Sequence, residues 1–554
     1  MLGLLAIGMA LPVAGGQLGT SGQASAPSAR ASAPARASAP PGAATTTPSA
    51  MPRATASTDP GHSDPTPIAA PPVALAAQPV ASAALADVPI VPVISFRSTP
   101  TVTTREEVAA VLAGTSDRYV ALELVADEAD AILHALGVDR PNDKTRLVLA
   151  PDAAKLSDDL ATNSKRLAFL RADVIGPEVR ALAWGDTALF GVGRVNDFGG
   201  WPLSARLPPP ADADVFDPSA TWTLFAGGDI MLDRGVYETL RVKGKGADFP
   251  FDGGTADITG RTCCSAFGWK VPTTRRTGNA GAFRELIKGA DIAIANFENP
   301  APDNPRWHTK GTVFSADPTL IDGLADAGID YVSLANNHIR DAGGQGLLQT
   351  IENIEQRGIK VSGAGKDLAA ARKPAIMEAG GVKVAILAYD AIAGYYHATA
   401  TRIGSAPLQA RLVKADVAAA RKAGADIVIV FPHWGTEYDP TPFASQQKLA
   451  RMIIDAGADM VIGNHAHWAA AMEVYQGKPI WYALGNFVFD QTWSEPTMEG
   501  ITLELTFRGK ELAQIRIRPH IILDKAQPNF LDPAGAGKVV MGQVFSASKG
   551  LLPW

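Results

Sequence analysis

Five times between residues 221 and 467 an apolar run of strand length ends in a group of polar side chains and gives way to a helical stretch. WTLFAGGDIM reaches Asp229, ADIAIANFEN reaches Asn296 and Glu298, and IDYVSLANNH reaches Asn337 and His338. ADIVIVFPHWG reaches His433, and ADMVIGNHAH reaches His465 and His467. Apolar runs this continuous suit strands buried on both faces, and their alternation with helices predicts an α/β domain. In an open α/β sheet the ligand crevice lies outside the carboxyl ends of the strands. Five strand ends therefore deliver Asp, Glu, Asn and four His to one edge.

Taken singly, such a residue is most often a helix cap or a turn residue. The conjunction says more. The chain has nine histidines, and four of them sit at these strand ends; His62, His134, His308, His397 and His520 stand elsewhere without such partners. Imidazole, carboxylate and amide oxygen together make a ligand set that suits Zn, Mn or Fe, with no thiolate involved. In VIGNHAHW two histidines flank one small residue. On a loop they can face one cleft, whereas on a helix they would diverge.

With 554 residues, two domains plus attachments are expected. The net charge of -6 argues against a nucleic-acid binder. The opening MLGLLAIGMALPVAGG (1–16) reads as a signal sequence or membrane anchor, although no basic residue precedes Arg30. Residues 17–86 are rich in Ala, Pro, Ser and Thr and carry few residues that fund folding, which predicts a disordered linker. Signal and tether together predict an extracytoplasmic protein, anchored through its N-terminus or secreted. Residues 87–207 alternate strand-like and helical runs and predict a small α/β domain of unassigned role, with His134 on an amphipathic helix as a surface or half-buried residue rather than a ligand. LPPPADAD marks the boundary to a second domain over 221–510, and 511–554 reads as a C-terminal strand and tail. The stretch Arg241 to Asn279, with KGKG, TTRR and the adjacent Cys263 and Cys264, reads either as a lid carrying basic residues or as an unordered surface loop. Its cysteines read either as a vicinal disulfide or as two free thiols.

The strings GDIML, NFE, LANNHIRDAG, PHWGTEYDPTP, GADMVIGNHAH and IWYALGNFVFD, in this order from about Thr221 to Phe507, closely resemble the CapA family of capsule synthesis proteins, linked to poly-γ-glutamate. That family is similar to the calcineurin-like metallophosphoesterases. The resemblance implies a four-layered α/β sandwich and a site for one or two divalent ions, Mn, Zn or Fe. It implies metal-ligand roles for Asp229, Glu298, Asn337, His433, His465 and His467, with Glu298 standing where an aspartate usually bridges two ions. Met231 occupies the place of an expected histidine. His338 matches a general acid, and Asp341 reads either as its orienting partner or as a helix cap. Glu437 is a candidate partner for His433, and Asn296 and Asn486 are candidates to face the cleft. Trp434, Trp468 and Trp481 read either as packing or as an apolar wall. Two functions follow from the resemblance and the residues. One is a metal-dependent hydrolase at the cell surface acting on a phosphoester or an anionic polymer; the other is a non-catalytic factor that binds the polymer alongside capsule-synthesis membrane proteins.

Overall fold

In the computed structural model, which describes residues 84–211 and 215–554, the strand Thr221–Ile230 is buried along its whole length. Successive side chains point to opposite faces of a sheet, so such a strand must be apolar on both. Leu224 and Ala226 enter one core and Phe225 and Ile230 another. Ile292 and Ile294 alternate with Ala293 and Ala295 between the same two cores.

The second sheet repeats the pattern. Val384 and Ile386 share the first core with Leu224 and Ile292, whereas Ala385 and Leu387 face a third. The shared core thus lies between two sheets. Outside the first sheet, helices Ala282–Gly289 and Gly343–Glu355 supply Phe283, Leu286, Leu347 and Ile354. Outside the second, Ala410–Lys422 and Ala444–Asp455 supply Val413, Val417, Ile453 and Ile454. Helix, sheet, sheet and helix make the four layers expected.

In the first sheet, Thr221–Ile230 pairs in parallel with Ile292–Phe297, which pairs in parallel with Tyr331–Ser333. In the second, Val382–Asp390, Ile427–His433 and Met460–Ile462 are parallel in that order. The strands that carry the polar residues therefore end on the same side within each sheet.

Two expected boundaries shift. The strand Ala86–Ser95 begins inside the expected linker, with Ala86 in register with Leu207. Residue 510 falls in the turn of a hairpin, since Glu499–Arg508 pairs antiparallel with Glu511–Leu523 around Gly509 at φ 56°. The sheet continues through Gln527–Phe530, and helix Lys538–Ala547 buries Val540, Met541 and Val544 on the shared core. The stretch expected as a lid or unordered loop holds an antiparallel hairpin, Thr255–Thr262 with Val271–Gly278, joined to the sheet through Phe530. Cys263 and Cys264 at its turn are disulfide-linked.

Residues 86–207 form their own sheet, in which Ala121–Val125 pairs in parallel with Leu147–Ala150 and Arg166–Arg171. Thr104 caps the helix Arg105–Ala113 and Gly114 ends it at φ 75°, as TREEVAAVLAG predicts. His134 is exposed. This sheet docks on the large one: Gln514 accepts the Ala181 N–H at 2.9 Å and Glu504 accepts the Val192 N–H at 2.6 Å. The expected signal sequence at 1–16 and nearly all of the expected linker lie outside the described residues. Among the described residues no helix is long and apolar enough to cross a membrane.

Candidate metal centre

Asp229 stands at the point of closest approach between two chain segments. Its N–H donates to the Gly485 carbonyl at 3.1 Å, and a Cβ on Gly228 would lie 1.9 Å from that oxygen, so the GGD of the motif is a packing requirement. Asn296 and Asn486 are in register with Asp229 on either side. Asn296 Nδ2 donates to Asp229 Oδ1 at 2.8 Å and reaches Glu298 Oε2 at 3.4 Å, which fixes the two carboxylates relative to each other.

From the other sheet, His433 ends its strand and pairs with Asn464 in an isolated bridge. His465 and His467 both take positive φ, 93° and 56°. Non-glycine residues seldom hold such backbone unless their surroundings enforce it, and such strain clusters at functional sites. The side chains do come side by side, with ring centroids 6.2 Å apart.

These residues resolve into two ligand groups that share one carboxylate: Glu298, His433 and His465 form one, and Asp229, Glu298 and His467 the other. Glu298 Oε1 lies 3.7 Å from His433 Nε2 and 3.8 Å from His467 Nε2. Within the first group His465 Nδ1 lies 3.2 Å from His433 Nε2, and Asn337 Oδ1, at 2.8 Å from the same nitrogen, adds an amide oxygen. His467 Nδ1 meets Asn486 Oδ1 at 2.9 Å, which leaves Nε2 as the ring nitrogen available to a cation. Asp229, Glu298, His433, His465 and His467 are all buried.

The donor set fits a cation. Glu298 Oε1, the atom at the shared corner, is buried and has no hydrogen-bond partner, a state that normally demands an explanation such as an ion. Burial, reinforced by the charge of Asp229, raises the Glu298 carboxyl well above the ordinary carboxylate range. Burial, with the neighbouring imidazoles adding to it, holds His433 well below the usual imidazole value and His465 at about 3. Neutral imidazoles are the form that binds metal. Met231 stays out of the group; it is buried and its sulfur accepts the Asp233 N–H.

Beside the ligands, His338 Nδ1 and Asp341 Oδ2 are 2.8 Å apart. Asp341 also accepts the Phe314 N–H at 2.9 Å and the Tyr396 hydroxyl at 3.0 Å. The helix Gly343–Glu355 follows Ala342 with no side-chain cap, so Asp341 is the partner of His338 and not a cap. Glu437 is a correction: it is exposed and makes no hydrogen bond to His433, because the chain turns away at Gly435, φ 98°. Asn296 Nδ2, at 3.4 Å from His433 Nδ1, occupies that place.

Trp434 and Trp481 are core residues, whereas Trp468 belongs to an aromatic wall. Its ring is 6.0 Å from Trp269 of the hairpin and 6.4 Å from Tyr438, which lies 5.9 Å from His467. Arg261 of the hairpin is ion-paired with Glu495, and Trp269 is the hairpin residue that meets this wall. Sequence reasoning missed Arg234. Its guanidinium lies over Phe314 at 4.8 Å and Phe489 at 5.7 Å, rings that in turn flank His338 at 4.2 Å and His467 at 4.9 Å. Its place five residues after Asp229, just past the strand end, was the available signal.

A family model described as bacterial capsule synthesis protein PGA_cap matches residues 223–491. A capsule biosynthesis protein CapA of Bacillus anthracis is 30% identical over 288 residues, which cover 50% of this chain and 70% of that protein. A PGA biosynthesis protein CapA of Bacillus subtilis (strain 168) is 35% identical over 247 residues, 44% of this chain and 64% of that one. Among solved structures, an NAD nucleotidase of Haemophilus influenzae overlays with a TM-score of 0.34 at 12% identity, covering 60% of this chain and 63% of the other.

Proposed function

This chain belongs to the CapA family of bacterial capsule synthesis proteins, and from that premise we propose that it is a divalent-metal-dependent hydrolase serving the synthesis or export of an anionic, poly-γ-glutamate-type capsule polymer. The observation that carries the hydrolytic part is the shared Glu298 corner, two ligand groups meeting at a buried carboxylate oxygen that no protein group satisfies. Glu298, His433, His465 and Asn337 would hold one ion and Asp229, Glu298 and His467 another, with Mn, Zn or Fe suited to such mixed donors. Ions there supply Lewis-acid polarisation of a phosphoryl or carbonyl oxygen.

The rest of the chemistry falls to the chain. In the doubly protonated ring Nδ1–H of His338 donates to Asp341, which fixes the ring, and Nε2–H is the proton given to a leaving oxygen or nitrogen, after which the ring is neutral. Asn296 keeps Asp229 and Glu298 apart, and Asn486 sets the His467 ring. The wall of Tyr438, Trp468 and Trp269 excludes water from one side. The polymer would be met outside the cytoplasmic membrane, as the opening segment and the Pro- and Ala-rich stretch after it suggest; protease added to intact cells should then reach the folded part.

Metal analysis of the purified chain beside hydrolysis of bis(p-nitrophenyl) phosphate tests the reading. The expected result is bound metal, metal-dependent turnover, and a His338→Ala variant that keeps its metal and loses most turnover. A metal-free, inactive chain would overturn the hydrolase and leave the polymer-binding factor.

A further inference from the structure

Away from the candidate metal ligands, the small domain and the large sheet line an open cavity of about 880 Å³ that none of those ligands borders. Val102 and Ala183 of the small domain, Leu286 of helix Ala282–Gly289, and Ile517 and Phe530 of the large sheet make much of its wall apolar. Arg180, Arg516 and Arg518 also line it. Arg516 and Arg518 share Glu504 as a counter-ion, at 3.4 Å and 2.6 Å. Arg180 has none.

Arg180 is 3% exposed, and among the described residues its only side-chain hydrogen bonds run from Nε and Nη2 to the Phe96 carbonyl at 3.4 Å and 3.3 Å. Among the described residues it forms no ion pair, and Nη1 donates to nothing. The acids that line the cavity are Glu285 and Asp532, and both are exposed. A buried guanidinium without an anion is among the costlier arrangements a fold can keep. Burial and the like charge of Arg516 lower its pKa only to about 10, so it remains a cation at neutral pH. The Phe96 carbonyl compensates it only in part. The fork of Arg is the side chain best matched to a planar carboxylate, and the size and apolar walls match those of small-molecule sites.

We propose that this cavity binds an organic carboxylate with an apolar body, its carboxylate on the guanidinium of Arg180. Such a ligand touches both domains at once, which gives residues 86–207 a role: they supply the cation that the site is built around.

The test is calorimetric titration of the full chain with octanoate and, as its neutral counterpart, octanamide, each with and without a chelator. The proposal expects saturable octanoate binding that the chelator leaves unchanged, with octanamide weaker by about tenfold or more, the scale of one charge-assisted hydrogen bond. In Arg180→Met the preference for octanoate disappears. Equal binding of the two compounds, no saturation by octanoate at millimolar concentration, or octanoate binding that vanishes with the chelator and so belongs to the metal centre would each overturn it. The comparison of the two compounds on the wild-type chain decides the matter even where Arg180→Met fails to fold.

Discussion

Glu298→Gln probes the metal centre at its one shared atom. The Glu298 carboxylate belongs to both ligand groups, whereas Asp229 and His467 serve only one and His433 and His465 only the other. The substitution is nearly isosteric. In the metal-free chain it replaces an acid that burial and Asp229 already push toward its neutral form, so the metal-free stability should change by no more than about 1 kcal/mol, the scale of one neutral hydrogen bond. The metal-loaded chain behaves differently. An ion present at a hundred times its Kd stabilises the folded state by about 2.7 kcal/mol. An unfolding entropy of about 2.1 cal/mol/K per residue over about 470 described residues is roughly 1 kcal/mol/K, so each ion raises Tm by about 3 °C. Thermal unfolding before and after addition of MnCl2, with metal counted by mass spectrometry, should show a rise of about 5 °C and two ions for the wild type. Asp229→Ala and His465→Ala should each keep about half that rise and one ion, and Glu298→Gln should keep neither. A Glu298→Gln chain that still binds two ions would refute the shared corner. Equal loss of both ions in all three variants would refute the division into two groups.

Asp341→Asn should leave metal content untouched and slow hydrolysis of bis(p-nitrophenyl) phosphate by up to about a hundredfold, since it acts through the orientation of His338; turnover equal to wild type would remove Asp341 from the mechanism. Asn486→Ala frees the His467 ring and should weaken binding of one ion by about 10- to 100-fold in a metal titration while sparing the other. His520, buried against Phe283 and Phe487, has its pKa pushed by burial from the ordinary 6.5 down to about 4. The unfolded chain binds this proton first, so the stability from His520 is fully present above pH 6.5 and is lost as pH falls toward 4, by about 1.4 kcal/mol per unit. Urea unfolding at pH 7, 6 and 5 should show that loss, and His520→Phe should make the slope shallower by about one proton.

The layered fold was legible because it rests on local pattern. Runs such as IVIVFP are apolar at every position, and only a strand covered on both faces needs that. The small domain was legible for the same reason, with Thr104 and Gly114 marking a helix at both ends. The C-terminal boundary was not, because Glu511–Leu523 looks like an appendix until its partner Glu499–Arg508 is known, and pairing is a tertiary fact. The hairpin over residues 255–278 was hidden by its composition: TADITGRT and VPTTRRTG lack the apolar alternation that announces a half-buried strand, since most of their residues are exposed or half-buried at the sheet edge.

At the metal centre the same division runs through individual residues. Sequence places Asp229 at a strand end of the first sheet and His433 at a strand end of the second, and within each sheet the parallel strands end on one side whatever the loops do. Which neighbour supports each ligand is decided by register across the sheet. Asn296 and Asp229 are in register in adjacent parallel strands although 67 residues separate them, and Asn486 flanks the same residue from the other side. Glu437 is only four residues from His433, yet Gly435 at φ 98° turns the chain so that closeness in sequence does not become closeness in space. Asp341 is three residues from His338 and does meet it, because the backbone between them folds into a turn, with the Asp341 N–H bonded to the His338 carbonyl at 2.9 Å. A short spacing therefore predicts a hydrogen-bonded pair only where the intervening backbone closes on itself. In NNHIRD it closes, and in HWGTEY the positive φ of Gly435 carries it away.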